Sequence, residues 1–182
     1  IYYNSLAEAQ GISSVDYLAT WGYAASFCTI LIALVGPVLG TIADNKGFKK
    51  PIFTLSMMLG VIGCAALSLP ATWIGFLAVF VIAKIGYNAS LIFYDSMLPD
   101  VTSTDRMDMV SSHGYAWGYL GSCIPFVLSL ILVLFYENIG ITITMAMAIA
   151  FLINAAWWFL VTIPLLKNYE QKHECSPGIS TP

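Results

Sequence analysis

Charged side chains are scarce in this sequence. Its 182 residues hold seven Lys and Arg and ten Asp and Glu, 9% of the chain, while 59% are hydrophobic. A soluble domain carries about 25% charged residues. A chain of this size and composition could not hide its apolar surface from water, so a soluble fold is excluded. Cysteine is sparse as well. Cys28, Cys64, Cys123 and Cys175 form no CxxC pair, and three of them lie inside apolar runs. That spacing argues against a metal site or a disulfide framework and for buried free thiols. No Gly-rich phosphate loop, zinc spacing or nucleophile–base arrangement is visible. An enzyme is therefore not expected, and neither are a cofactor, a metal, catalytic residues or a nucleic-acid partner.

The chain does hold apolar runs of helix length, at a mean hydropathy of +0.82. Runs of that length exclude an outer-membrane barrel, whose strands show as alternating segments of ~10 residues. The expected fold class is all-α, a polytopic membrane helix bundle. Ser13-Ser14-Val15-Asp16 has the form of a capping box, which marks a helix start. The pattern predicts five spans at about 17–43, 52–69, 72–95, 113–136 and 141–165. Residues 1–16 form a mixed polar segment before them, with Ile1-Tyr2-Tyr3 as the end of a preceding span, and 166–182 form a polar linker.

Basic residues fix the sidedness. Lys46, Lys49, Lys50, Arg106, Lys167 and Lys172 fall in segments on one side, and the other side has none. Basic residues collect on the cytoplasmic side. The hairpin after the first span, the connection 96–112 and the linker are thus expected inside, and 1–16 outside. The chain begins with Ile1, and no signal-peptide pattern precedes the first run. It reads as a piece lacking one earlier span. Six spans and then a cytoplasmic linker would make half of a twelve-span transporter.

Lys84 is the seventh basic residue and lies half-way along the third span. A charge at that depth costs at least ~2.5 kcal/mol on insertion scales. At 100° per residue, Asn88 falls about 40° from Lys84 and Asp95 about 20° away. Lys84, Asn88 and Asp95 therefore form one polar stripe, flanked by Tyr87 and Tyr94. The stripe serves either a substrate or coupling cavity or a structural ion pair buried in the bundle. Gly114, Gly118 and Ser122 recur every four residues in the fourth span, which predicts a close helix approach. Asn154 is a candidate interhelical hydrogen-bonder, and Trp21, Trp157 and Trp158 are candidates for aromatic belts.

Two stretches carry a family resemblance. Gly40, Ala43-Asp44, Gly47 and Lys49-Lys50 match the loop signature of the major facilitator superfamily between its second and third spans, with Asn45 and Phe48 where basic residues are frequent. The stretch from Ile92 to Asp100, with Asp108–Ser122 after it, resembles the vacuolar-effluxer-like branch, which includes fungal autophagy-related amino-acid exporters. Asp95 stands where that branch has Asn. The resemblance covers the second to the sixth span and implies most of the N-terminal six-helix half of a secondary transporter. It implies a conformational latch at Gly40, Asp44, Gly47, Lys49 and Lys50, in which Asp44 holds the cytoplasmic ends of the two halves together. It also implies that the span bearing Lys84, Tyr87, Asn88 and Asp95 lines the central cavity.

The expected function is alternating-access transport of a small solute, an amino acid for efflux among characterised relatives. The competing class is a non-transporting membrane sensor or scaffold on the same bundle. The expected partners are a small-molecule substrate, a coupling ion, the lipid bilayer, and the missing first span and C-terminal half. The expected location is a bacterial cytoplasmic membrane, or a vacuolar membrane in a fungus.

Overall fold

The computed structural model describes residues 2–43, 45 and 47–172. Among them there is no strand, and the helices follow one another as α1 (Tyr2–Ala9), α2 (Ser14–Ala43), α3 (Lys49–Ala66), α4 (Trp73–Ser96), α5 (Leu98–Val101), a 3-10 turn (Thr104–Arg106), α6 (Met107–Leu134), α7 (Tyr136–Ile139) and α8 (Ile143–Asn168). Five of these segments, α2, α3, α4, the 3-10 turn with α6, and α8, are long and apolar enough to cross a membrane. The chain is an integral, multi-pass membrane protein. Its outer surface is built of groups such as Leu18, Phe27, Ile30, Leu34, Phe126 and Ile131. Lipid tolerates that surface because every helix satisfies its own backbone hydrogen bonds.

The starts of the spans follow local chemistry. Ser13 Oγ accepts from the Asp16 amide (3.2 Å) and donates to the Asp16 carboxylate (2.7 Å), opening α2. Thr72 and Thr142 cap α4 and α8 in the same way, accepting from the amides of Gly75 and Met145. These side chains satisfy amide groups that have no partner inside the helix.

Several boundaries differ from the sequence expectation. The segment before the first span holds helix α1, whose Tyr2, Tyr3 and Ala7 are buried while Ser5 and Glu8 stay outside. Its amphipathic face packs on α2 and α4. α3 starts at Lys49, not Ile52, because Pro51 falls in the first turn, where its missing N–H leaves no bond unmade. It ends at Ala66, not Leu69, since the residue before Pro70 resists helical geometry. α6 starts at Met107, not His113. The charges of 96–112 suggested a loop. Instead, Asp108 occupies the first turn of α6, where a carboxylate suits the helix dipole.

α4 is the central helix. It packs along α3 for most of its length and also against α2, while α8 bridges α3 and α6. One end of the bundle is an aromatic cluster, with Tyr2, Tyr3, Tyr17 and Phe76 buried against Trp21, Trp73 and Phe80. Trp21 stacks on Phe80 with ring centroids 4.3 Å apart, so it packs inside rather than standing in a belt. At the other end Phe53, Met57, Phe93, Met97 and Tyr169 form a second core.

Among the described residues the close helix approach lies along α3–α4. A Cβ added at Gly86 would stand 2.6 Å from the Gly60 nitrogen and 3.0 Å from the Ser56 carbonyl oxygen. One at Gly63 would stand 2.7 Å from the Ala83 Cβ. A Cβ at Gly60 would collide with the Trp158 ring, which wedges between the helices and meets Tyr87 edge-on at 5.7 Å. Trp158 is thus a packing residue rather than a belt residue. Asn154 makes the expected interhelical bond, donating from Nδ2 to Ser129 Oγ at 3.1 Å.

Candidate functional site

Two features stand at the end of the bundle opposite the aromatic cluster. One is a network around Asp100, and the other is a cavity between α4 and α6.

Asp100 lies in α5 with its side chain 0% exposed. Lys49, in the first turn of α3 and 4% exposed, places Nζ 3.1 Å from the Asp100 carboxylate. The same ammonium donates to the Ser96 carbonyl, 3.1 Å away at the C-terminus of α4. Positive charge is favoured there because carbonyl dipoles end at that point. The Tyr169 hydroxyl donates to Asp100 at 2.5 Å, and the Lys172 amide donates to its other oxygen at 3.1 Å. Burial, then the hydrogen bond to Asp100 and its negative charge, push the Tyr169 phenol well above its ordinary pKa. A buried carboxylate without such donors would be strongly unfavourable.

The hairpin between α2 and α3 joins the same network. Lys50 Nζ donates to the Tyr169 carbonyl at 3.2 Å. The Gln171 side chain accepts from the Gly47 amide and donates to the Asn45 carbonyl, both at 3.0 Å. Gly47 has φ of +74°, a conformation that side-chain-bearing residues rarely adopt. Three chain segments are therefore tied at one end: the hairpin, the α4–α6 connection and the residues that follow α8.

Of the expected latch residues, Gly47, Lys49 and Lys50 meet in this network. Gly40 stands apart, with nothing within 4 Å of an added Cβ. Asp44 lies outside the described residues. The sequence reading missed Asp100, Tyr169 and Gln171 as partners. The available signal was the Leu98-Pro99-Asp100 turn beside the end of an apolar run, together with a Tyr directly after the last span.

The cavity holds about 540 Å³. α4 supplies Tyr87, Leu91, Tyr94 and Asp95 to its wall. Spacings of four, three and one residues put them on one helix face. α6 supplies Ser111, Gly114, Tyr115, Gly118, Tyr119 and Ser122. The small residues on α6 make room instead of contact. An added Cβ would meet nothing within 4 Å at Gly118, and at Gly114 only the Tyr94 hydroxyl, 3.7 Å away. Among the described residues α6 packs along α8, and Gly114, Gly118 and Ser122 face the cavity. Tyr115 reaches from α6 toward the Asp95 carboxylate.

The expected polar stripe on α4 is split. Tyr87 and Asp95 line the cavity, while Lys84 and Asn88 do not. Lys84 is half-buried near Cys28 of α2, with Nζ 5.9 Å from the centroid of the Phe80 ring. It forms no ion pair among the described residues. Its neighbours among the described residues are the Phe80 ring, placed for a cation–π contact, and the Cys28 thiol. No group of three or more His, Cys, Asp or Glu side chains among the described residues could hold a metal ion.

The family model described as vacuole effluxer Atg22 like matches residues 9–178. The uncharacterized MFS-type transporter YxiO of Bacillus subtilis (strain 168) is 38% identical over 177 residues, covering 95% of this chain and 41% of that relative. The chain thus spans less than half the length of that relative. No solved structure matches.

Proposed function

We propose that this chain, which belongs to the Atg22-like vacuole effluxer family, is most of one six-helix half of a secondary transporter for a small solute. The observation that carries the reading is the 540 Å³ cavity, which sets a carboxylate and tyrosine hydroxyls into an otherwise apolar bundle. Ligand cavities fall in the range of about 300–1,000 Å³, and an ionisable residue within a spanning helix, here one residue from the end of α4, marks a solute or ion path. The similarity to an MFS-type transporter points the same way.

In this reading the solute sits between α4, α6 and the opposing half of the protein, and the halves rock about it. A small metabolite such as an amino acid is the solute class we propose, with an ion gradient or the solute's own gradient as driving force. The Asp100 network would lie on the cytoplasmic side and make that end of the half rigid, so that it moves as one body. The latch role of Asp44, Lys49 and Lys50 is proposed in that setting, with Lys49 acting through Asp100 of its own half.

The test is flux through the full-length protein in proteoliposomes, measured with a labelled panel of amino acids and other small solutes. Saturable counterflow of at least one solute, absent from empty liposomes, is expected. No flux of any solute would overturn the transporter reading in favour of a membrane sensor or scaffold.

A further inference from the structure

Resting on the transporter reading above, we infer that the α4–α6 cavity takes a solute bearing an ammonium group. The wall contains one charged side chain, the exposed carboxylate of Asp95. No Lys, Arg or His among the described residues lines it. The two cations that α4 might have borrowed are engaged elsewhere. Lys84 lies against Phe80, outside the cavity wall, and Lys49 is bound to Asp100.

Four tyrosines share the cavity wall with Asp95, namely Tyr87 and Tyr94 from α4 and Tyr115 and Tyr119 from α6, and Tyr115 interacts with its carboxylate. Tyrosine offers a cation both a negative ring face and a hydroxyl acceptor, and rings combined with a carboxylate are a recurring receptor for ammonium ions. The low-dielectric bundle around the cavity strengthens that attraction. A solute of net negative charge would meet Asp95 with no compensating cation among the described residues, so such solutes are disfavoured. The cavity is also too roomy for a bare metal ion alone and suits an organic cation of several carbons.

The full-length protein separates the possibilities. Binding is read by thermal stabilisation of the detergent-purified protein, and transport by counterflow in proteoliposomes. The probes are choline, agmatine and lysine on one side, and succinate and glucose on the other. The ammonium-bearing probes are expected to stabilise and to compete with one another. Asp95→Asn should weaken them at least tenfold, with Asp95→Glu recovering part of the loss. Tyr119→Ala should weaken choline severalfold. Each variant is first checked for an unchanged size-exclusion profile.

Stabilisation by succinate or glucose alone, or by no probe, overturns the inference whatever the variants do. So does ammonium binding that Asp95→Asn and Tyr119→Ala leave unchanged. Flux of an anionic or neutral solute with no ammonium binding removes the cation site and leaves the transporter standing. Asp95-dependent binding of ammonium probes without flux does the reverse.

Discussion

α4 treats its two neighbours in opposite ways. Against α3 it brings backbone to backbone, with Gly60, Gly63, Ala83 and Gly86 at the crossing. Toward α6 it leaves a cavity, although α6 also carries Gly114, Gly118 and Ser122 at helical spacing. Small residues permit a close approach but do not cause one. The seam closes because α3 and α4 are joined by a short turn and clamped by Trp158 from α8. α6 is reached through a longer connection and packs along α8 instead. The acidic residues divide along the same line. Asp100 is sealed into the end of the seam, and Asp95 opens into the cavity.

The sharpest way to break the comparison is to place side chains in both regions. Gly86→Leu would drive its Cβ into the backbone of Gly60 and Ser56, which cannot move aside as a flexible side chain would. Overpacking costs about 1–3 kcal/mol where neighbours can yield, and more where they cannot. The expected result is loss of the folded, monodisperse protein in detergent. Gly118→Ala, with open space around it, should leave the melting curve within about 0.5 kcal/mol of wild type. If both changes were tolerated equally, the seam would not be the tight crossing described.

The next largest effect should come from the carboxylates. Asp100→Ala leaves the Lys49 ammonium buried without its partner and strips Tyr169 and the Lys172 amide of their acceptor. Breaking a buried ion pair from one side costs about 3–5 kcal/mol. A thermal or denaturant melt of the detergent-solubilised protein should show a loss of that size. Asp95→Asn should leave the same melt unchanged and affect only solute binding. A comparable loss from Asp95→Asn would mean that Asp95 is a packing residue and the cavity wall a structural element.

Much of the fold was legible because bilayer spans are written in composition. The five spans, the capping box at Ser13, and the Asn154 contact between helices all followed from local pattern. What failed did so for tertiary reasons. The 100° wheel placed Lys84, Asn88 and Asp95 on one stripe, yet it gives no neighbours. α2 covers the side near Lys84, and the cavity begins only at Tyr87. The Gly114–Ser122 spacing matches a packing motif, and among the described residues that face lines the cavity. Lys49 read as a sidedness marker and a latch residue, while its acceptor, Asp100, lies in a different segment of the chain. The network needs three segments distant in sequence, and one sequence without its fold does not bring them together.

The smallest of the expected losses is at Tyr169, and it tests how tightly the seam's end is sealed. Tyr169→Phe removes one donor to Asp100, while Lys49 and the Lys172 amide still hold the carboxylate. A hydrogen bond to a charged group contributes about 1.5–3 kcal/mol, and the remaining donors place this loss at about 1.5 kcal/mol. The pH dependence gives a separate handle. The folded-state pKa of Tyr169 is raised above its unfolded value of about 10. Its contribution is therefore fully present below pH 10 and is lost as the pH rises beyond that value. Wild-type protein should lose stability between pH 10 and pH 11 more steeply than Tyr169→Phe does. Parallel pH profiles would show that Tyr169 reaches solvent, and that the end of the seam is as open as the cavity beside it.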